Sequence, residues 1–207
     1  MTSLSQLLAE RGVLLSDGAT GTNYQDMGIE PGVAPEEWVL DQPQQVSAVH
    51  RRFARAGSDI VLTCSFGASS LRVLDGPLAG RAREVNIRAA ELAREAVGDE
   101  VLVAGTMGPT GQLVEPLGPL GHDECVTAFA EQAAALADGG VDLIVLETFF
   151  ALEEALWAAE AVRSATDLPL VISFSFDQGT RTMMGLSPAD VVAATEELAL
   201  TALGANC

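Results

Sequence analysis

The sequence is poor in positive charge: its 207 residues include 11 arginines, no lysine and 29 acidic residues, for a formal net charge of −18. A nucleic-acid-binding protein needs a basic surface to neutralise phosphates, so this composition argues against that class. It also argues against attraction to an anionic membrane surface. We therefore expect neither nucleic acid nor membrane among the partners of the protein.

Long apolar runs, a secretion signal and paired cysteines are also missing. No run of about 18 apolar residues occurs, so no transmembrane helix is expected. The N-terminal sequence MTSLSQLLAERG lacks the basic start and apolar stretch of a signal peptide. Cys64, Cys125 and Cys207 are an odd number without paired spacing, which argues against a disulfide framework. We expect a single domain over residues 1–207, located in the cytoplasm.

Short apolar runs alternate with longer amphipathic segments along the chain. A segment of nearly all apolar residues is typical of a parallel strand that is buried on both faces. The predicted strands are Val13–Ser16, Asp59–Thr63, Val101–Gly105, Asp142–Leu146 and Leu170–Phe176, with the start of a sixth before Cys207. The predicted helices are Pro43–Ala56, Leu78–Val97, His122–Ala137, Leu152–Ser164 and Ser187–Leu200.

The turns between these segments share a local pattern. A glycine, one further residue and an acidic or amide residue recur as Gly57-Ser58-Asp59, Gly140-Val141-Asp142 and Gly204-Ala205-Asn206. Glycine suits the left-handed residue that ends a helix before the chain enters the next strand. The pattern predicts repeated βα units and a parallel sheet.

Two α/β architectures fit this alternation, a closed (β/α)8 barrel and an open doubly wound sheet. A dinucleotide-binding sheet requires G-x-G-x-x-G after its first strand, and residues 17–22 (DGATGT) lack that spacing. This favours the barrel. A closed barrel needs eight strands, so five strands and the start of a sixth would make such a TIM barrel incomplete, and the open doubly wound sheet stays as the alternative.

Polar residues gather where the predicted strands end, which is where parallel α/β folds carry their chemistry. Glu147 ends an apolar run, and its carboxylate needs a partner because burial penalises an unpaired charge. A substrate ammonium group and a neighbouring arginine both remain open as that partner. The turn at Asp17-Gly18 offers backbone N–H groups that could bind a carboxylate. The residues themselves thus predict an enzyme for a small polar substrate.

Seven stretches, taken together, resemble the homocysteine S-methyltransferase family, which includes betaine–homocysteine methyltransferase and the homocysteine-binding barrel of cobalamin-dependent methionine synthase. They follow the family's order and cover almost the whole chain. The stretches are LLSDGATGTNYQDMG (14–28), PEEWVLDQPQQV (35–46), AGSDIVLTCSFGAS (56–69), VAGTMGPTGQLVEPLG (103–118), GGVDLIVLETF (139–149), FDQGTRTMMGLSPAD (176–190) and LGANC (203–207).

The resemblance implies a (β/α)8 barrel that transfers a methyl group to the thiol of homocysteine and gives methionine. It implies that Asp17 and Gly18 hold the amino-acid end of homocysteine, that Glu147 binds its ammonium group and that Cys207 is one of three cysteine ligands to zinc. Zinc held by thiolates leaves a position open for the substrate sulfur and deprotonates it.

Two features depart from the family pattern. The other two zinc ligands of the family lie in a Gly-Gly-Cys-Cys stretch beyond the GANC cysteine, and this sequence contains no adjacent cysteine pair. Cys64-Ser65 stand where the family usually has Asn-Thr. A replacement metal site of Cys64, His122 and Cys207 is a remote alternative.

The methyl donor is expected to be betaine or another small donor. A quaternary ammonium donor requires aromatic walls, for which Trp38, Phe66 and Phe149 are candidates. S-methylmethionine and a methyl-corrinoid or methyl-folate remain alternatives. Two rival interpretations stay open: an incomplete half-barrel that needs a complementing C-terminal chain or a homo-oligomer, and a zinc-free enzyme acting on another small amino acid.

Overall fold

The computed structural model of the protein describes residues 3–177 and 179–207. The helices in these residues are α1 (Leu4–Arg11), α2 (Thr20–Asp26), α3 (Glu37–Asp41), α4 (Pro43–Ala56), α5 (Ala82–Val97), α6 (His122–Asp138), α7 (Leu152–Ala165) and α8 (Pro188–Thr195). The strands are β1 (Ile60–Leu62), β2 (Leu102–Met107), β3 (Leu143–Phe149), β4 (Leu170–Phe174) and β5 (Ala202–Ala205). None of the helices described in these ranges has both the length and the apolar character needed to cross a membrane.

The five strands form one parallel sheet in the order β1-β2-β3-β4-β5. A doubly wound sheet would reverse its strand order at a switch point, whereas here each new strand is added on the same side. The sheet is not closed, because within the described ranges β5 pairs with β4 alone. The prediction of an incomplete (β/α)8 barrel is therefore confirmed.

The predicted first strand, 13–16, does not join the sheet as a regular strand. It runs beside β1 and forms a single parallel bridge, between Ser16 and Ile60. The backbone N–H groups of Asp59 and Ile60 both donate to the carbonyl of Leu15, at 2.7 and 3.1 Å. Val13 and Leu15 are exposed, so this segment is packed on one side only and has too few partners for a longer ladder.

Alternate strand residues face two different layers. One set, which includes Val103, Ile144 and Ile172, packs in the largest hydrophobic cluster with residues of α5, α6 and α7. The other set, which includes Leu102 and Leu143, packs in a separate cluster with Leu7 of α1. In a barrel the helices form the outer ring, so this second set lines the concave side of the sheet.

The predicted helices are found, with differences at their ends. The helix predicted from Leu78 begins at Ala82, and the helix predicted to reach Leu200 ends at Thr195. At its other end this helix begins one residue after the predicted start, because Ser187 is the N-cap and forms a reciprocal capping box with Asp190. The glycine pattern holds at Gly57 and Gly140, which have positive φ, but Gly204 lies inside β5 instead of at a helix end. The short helices α1, α2 and α3 are absent from the sequence prediction.

Candidate functional site at the carboxyl ends of the strands

Asp17 follows the 13–16 segment and is half-buried near the carboxyl end of β1. Its Oδ2 accepts a hydrogen bond from the backbone N–H of Leu62 at 3.0 Å, and its Oδ1 accepts one from the Ser16 hydroxyl at 3.3 Å. Burial raises the pKa of Asp17 to about 6, although the hydrogen bond from Leu62 acts in the opposite direction. Gly18, the next residue, is exposed.

Glu147 lies on β3 in the concave-facing set, two residues beyond Val145. The register between β3 and β4 shifts between Leu146 and Phe149, and a shift of this kind re-aims a side chain. As a result Glu147 and Thr148 are both partly exposed, whereas Leu146 and Phe149 on either side of them are fully buried. The shift turns two neighbouring polar residues to the open side of the strand.

Asp17 and Glu147 form a pair of neighbouring carboxylates. Burial raises the pKa of Glu147 to about 7, and the negative charge of Asp17 is the second cause of that increase. In the part of the chain that the structure describes, neither carboxylate forms an ion pair with an arginine or a histidine. Two like charges without a cation favour the binding of a positively charged group.

Asn206, after β5, connects the ends of three strands. Its Oδ1 accepts hydrogen bonds from the backbone N–H of Thr148 at 3.0 Å and from the Ser173 hydroxyl at 2.7 Å. Its Nδ2 donates to Thr148 Oγ1 at 2.7 Å and lies 3.5 Å from Glu147 Oε2 and from Cys207 Sγ. Ser173 did not stand out in the sequence, although a hydroxyl within the apolar run of β4 was a usable signal.

Cys207 is exposed next to Asn206, on the side of the sheet that holds Glu147. The other two members of the replacement metal site lie elsewhere: Cys64 is buried, and His122 on α6 is bonded to Glu160 on α7 at 3.0 Å. Residues 3–177 and 179–207 contain no cluster of three or more His, Cys, Asp or Glu side chains that could hold a metal. The replacement site is therefore wrong, and the described residues offer one zinc ligand at most where a zinc site needs three from protein.

The three predicted aromatic residues do not come together as one wall. Phe149 is fully buried, with its ring centroid 6.0 Å from that of Phe129 in the core. Trp38 is in edge contact with Tyr24 at 5.8 Å, in a different cluster. Phe66 lies under the guanidinium of Arg72, 5.4 Å from its ring centroid. The assignment of Phe149 to the donor side is thus corrected, because the shift in β3 turns its side chain into the core.

A buried polar network fixes the loops after β1 and β2 around this site. Thr63 Oγ1 and Ser65 Oγ lie 2.6 Å apart, Ser65 donates to the Thr106 carbonyl at 2.7 Å, and Thr63 Oγ1 accepts the Thr106 N–H at 3.0 Å. The buried carboxylate of Glu36 accepts the N–H of Gly67 at 2.6 Å. These contacts account for polar residues that the sequence placed at strand ends without a role.

The fold and the site define an incomplete parallel α/β barrel with two carboxylates and a cysteine at the carboxyl ends of its strands. The sequence profile of the homocysteine S-methyltransferase family matches residues 14–207, and the chain belongs to this family.

Individual relatives agree with that assignment. A methionine synthase from Mycobacterium leprae is 29% identical over 224 residues, which include 100% of this chain and 18% of the relative. The homocysteine methyltransferase MmuM from Escherichia coli is similar in its apo form, with 27% identity, a TM-score of 0.78, and coverage of 97% of this chain and 74% of MmuM. Its metallated form gives 25% identity, a TM-score of 0.83, and coverage of 97% and 76%. The chain thus spans less than a fifth of the methionine synthase and about three quarters of MmuM.

Proposed function

We propose that this chain is the homocysteine-binding part of a homocysteine S-methyltransferase. The observation that carries the proposal is the pair of neighbouring carboxylates, Asp17 and Glu147, without an arginine or histidine partner in the described ranges. The ammonium group of an amino acid supplies the missing positive charge. The backbone around Gly18 receives the carboxylate of the same amino acid, which leaves the thiol directed toward Cys207.

The proposed reaction is a methyl transfer to sulfur. The thiol loses its proton, the sulfur forms a bond to the methyl carbon, and the donor keeps the electron pair of the bond that breaks. Methionine and the demethylated donor are the products. Betaine or another small methyl donor is proposed for this step, as the sequence resemblance suggests.

Zinc belongs to this proposal only with ligands from outside the chain. MmuM has a metallated form, but the residues described here supply Cys207 alone and do not fit a zinc site by themselves. We propose that the chain is cytoplasmic and that a completing segment or partner chain in the same compartment brings the remaining ligands. Metal analysis of the purified chain under reducing conditions checks this: we expect well under one zinc per chain, and a full equivalent would contradict it.

Calorimetric titration of the chain with L-homocysteine at pH 8 tests the substrate. We expect measurable binding to the wild type, no binding of 4-mercaptobutanoate, which lacks the ammonium group, and an affinity about 100-fold lower in Glu147→Gln, because an ammonium–carboxylate contact is worth a few kcal/mol. Glu160→Gln, an exposed glutamate on α7, is the matched control. Equal binding of both ligands would reject Asp17 and Glu147 as an ammonium site and favour an enzyme for another substrate.

A further inference from the structure

Thr148 has a backbone conformation that needs support. Its φ is +64°, in the left-handed region that β-branched residues rarely adopt. Residues held in such conformations cluster at functional sites and persist only when surrounding contacts hold them there. The contacts that hold Thr148 therefore also decide where the preceding residue, Glu147, directs its carboxylate.

Asn206 supplies those contacts from another strand end. It accepts the Thr148 N–H at 3.0 Å and donates to Thr148 Oγ1 at 2.7 Å, so the backbone N–H and the hydroxyl of this residue both bond to one carboxamide. Ser173 fixes the orientation of that carboxamide by donating to the same Oδ1 at 2.7 Å. The carboxamide is thus set by β4 and imposes a conformation on β3.

We propose that Asn206 is a positioning residue that holds Thr148 in its left-handed conformation and thereby directs the Glu147 carboxylate into the substrate site beside Asp17. The link to substrate rests on the proposed function, that is, on homocysteine binding at Glu147. The link to Thr148 rests on the hydrogen bonds alone. The same carboxamide reaches Cys207 Sγ at 3.5 Å, so it connects the end of the site that would hold the ammonium group with the end that would hold the sulfur.

The first experiment measures the backbone of residue 148 without any ligand. Three-bond HN–Hα couplings and Cα and Cβ chemical shifts report whether a residue is left-handed. We expect Asn206→Ala to move Thr148 out of the left-handed region. Asn86→Ala is the matched control. Asn86 is likewise an asparagine whose carboxamide makes several hydrogen bonds, donating to the carbonyls of Ala68 and Ala82, but it lies on α5 and does not contact Thr148. A Thr148 that stays left-handed in Asn206→Ala would overturn the proposal.

The second experiment separates positioning from stability. Homocysteine affinity is measured at a temperature where circular dichroism shows every variant fully folded. We expect Asn206→Ala to weaken binding about tenfold. Glycine adopts positive φ without steric cost, so Asn206→Ala combined with Thr148→Gly should recover most of that loss, whereas a merely structural defect would not be recovered.

The outcomes keep the two claims apart. If Asn206→Ala releases Thr148 but leaves homocysteine affinity unchanged, Asn206 does not position Glu147 and the proposal is wrong. If the wild type binds no homocysteine, the proposed function fails, while the couplings of residue 148 still decide whether Asn206 holds Thr148.

Discussion

Acidic side chains stand at both ends of the strands, and the two ends treat them differently. At the amino ends, Asp59 before β1 pairs with Arg11, and Asp142 before β3 pairs with Arg94. Each also accepts the backbone N–H of a residue at the start of the neighbouring segment, from Leu15 to Asp59 at 2.9 Å and from Val103 to Asp142 at 2.7 Å. Each of these carboxylates is neutralised by an arginine near the end of a helix.

At the carboxyl ends, Asp17 and Glu147 lie near one another, and burial raises the pKa of both. Asp17 does accept an N–H from the neighbouring strand, that of Leu62, so it differs from Asp59 in having no ion pair with an arginine within residues 3–177 and 179–207. Barrel enzymes carry chemistry on this face and stability on the other. The same residue type thus forms ion pairs at one end of the sheet, and at the other end we propose that it binds a positively charged ligand.

The largest expected effect comes from breaking a pair at the amino end. Asp142→Ala removes the partner of Arg94, whose side chain is only 20% exposed, and leaves the Val103 N–H without its acceptor. We expect a loss of about 3 kcal/mol in the free energy of unfolding, as for other partly buried pairs. Urea unfolding followed by circular dichroism measures it. A loss below about 1 kcal/mol would mean that Arg94 finds sufficient partners in the carbonyls of Gly98 and Val101.

The opposite sign is expected at the carboxyl end. Glu147→Gln removes a half-buried charge beside Asp17, so at pH 8 we expect the free energy of unfolding to rise by about 2 kcal/mol, while homocysteine affinity falls about 100-fold. Stability gained together with function lost is the usual signature of a site residue. The same urea experiment at pH 8 checks the sign, and a destabilised variant would show that Glu147 has a structural partner.

The pH dependence sharpens this prediction. The pKa of Glu147 is raised from 4.5 to about 7 in the folded protein, so folding favours its protonated form. Its contribution to stability is present below about pH 4.5 and is lost as the pH rises through about 7. The difference in the free energy of unfolding between Glu147→Gln and the wild type should therefore shrink from about 2 kcal/mol at pH 8 to near zero at pH 4. A constant difference from pH 4 to pH 8 would contradict the raised pKa.

The smallest effect is expected at the more exposed pair. Arg11 is 53% exposed in its pair with Asp59, so Asp59→Ala should cost about 1 kcal/mol, most of it from the lost acceptor for Leu15. Asp138→Ala is the control, since Asp138 pairs with Arg83 on the surface with exposures of 58% and 62%, and it should cost no more than about 0.5 kcal/mol. If Asp59→Ala and Asp138→Ala lost the same free energy of unfolding, the acceptor that Asp59 provides for the Leu15 N–H would contribute nothing measurable to stability.

Much of the fold followed from local patterns. The apolar runs located all five strands, and α4 was predicted with both of its ends because Pro43 opens it and Gly57 ends it. The 13–16 segment was predicted as a strand because its residues resemble one, but a strand also needs neighbours to bond with. The start of α8 agrees with the prediction to within one residue, whereas its early end at Thr195 is not indicated by the local pattern.

The sequence predicts only part of the candidate site. The residues themselves indicate Glu147, at the end of an apolar run, and the turn at Asp17-Gly18, whereas the role of Cys207 is implied by the family resemblance alone. Phe149 is a donor-side candidate only because it is aromatic, and the register shift before it, which places it in the core, cannot be read from the residues. Asn206 was visible as a strand-end residue, but its contacts with Thr148 and Ser173 join segments that are distant in sequence.

The alternation of strands and helices, the excess of acid over base and the family of the chain follow from residue type and local order. The pairing of carboxylates with arginines, among residues 3–177 and 179–207, is set by the fold. That outcome depends on which helix end reaches which strand end, and it separates Asp59 and Asp142 from Asp17 and Glu147. The same carboxylate chemistry therefore stabilises one face of the sheet, and on the other face we propose that it binds a ligand, because a charge is neutralised only by groups that lie close to it in space.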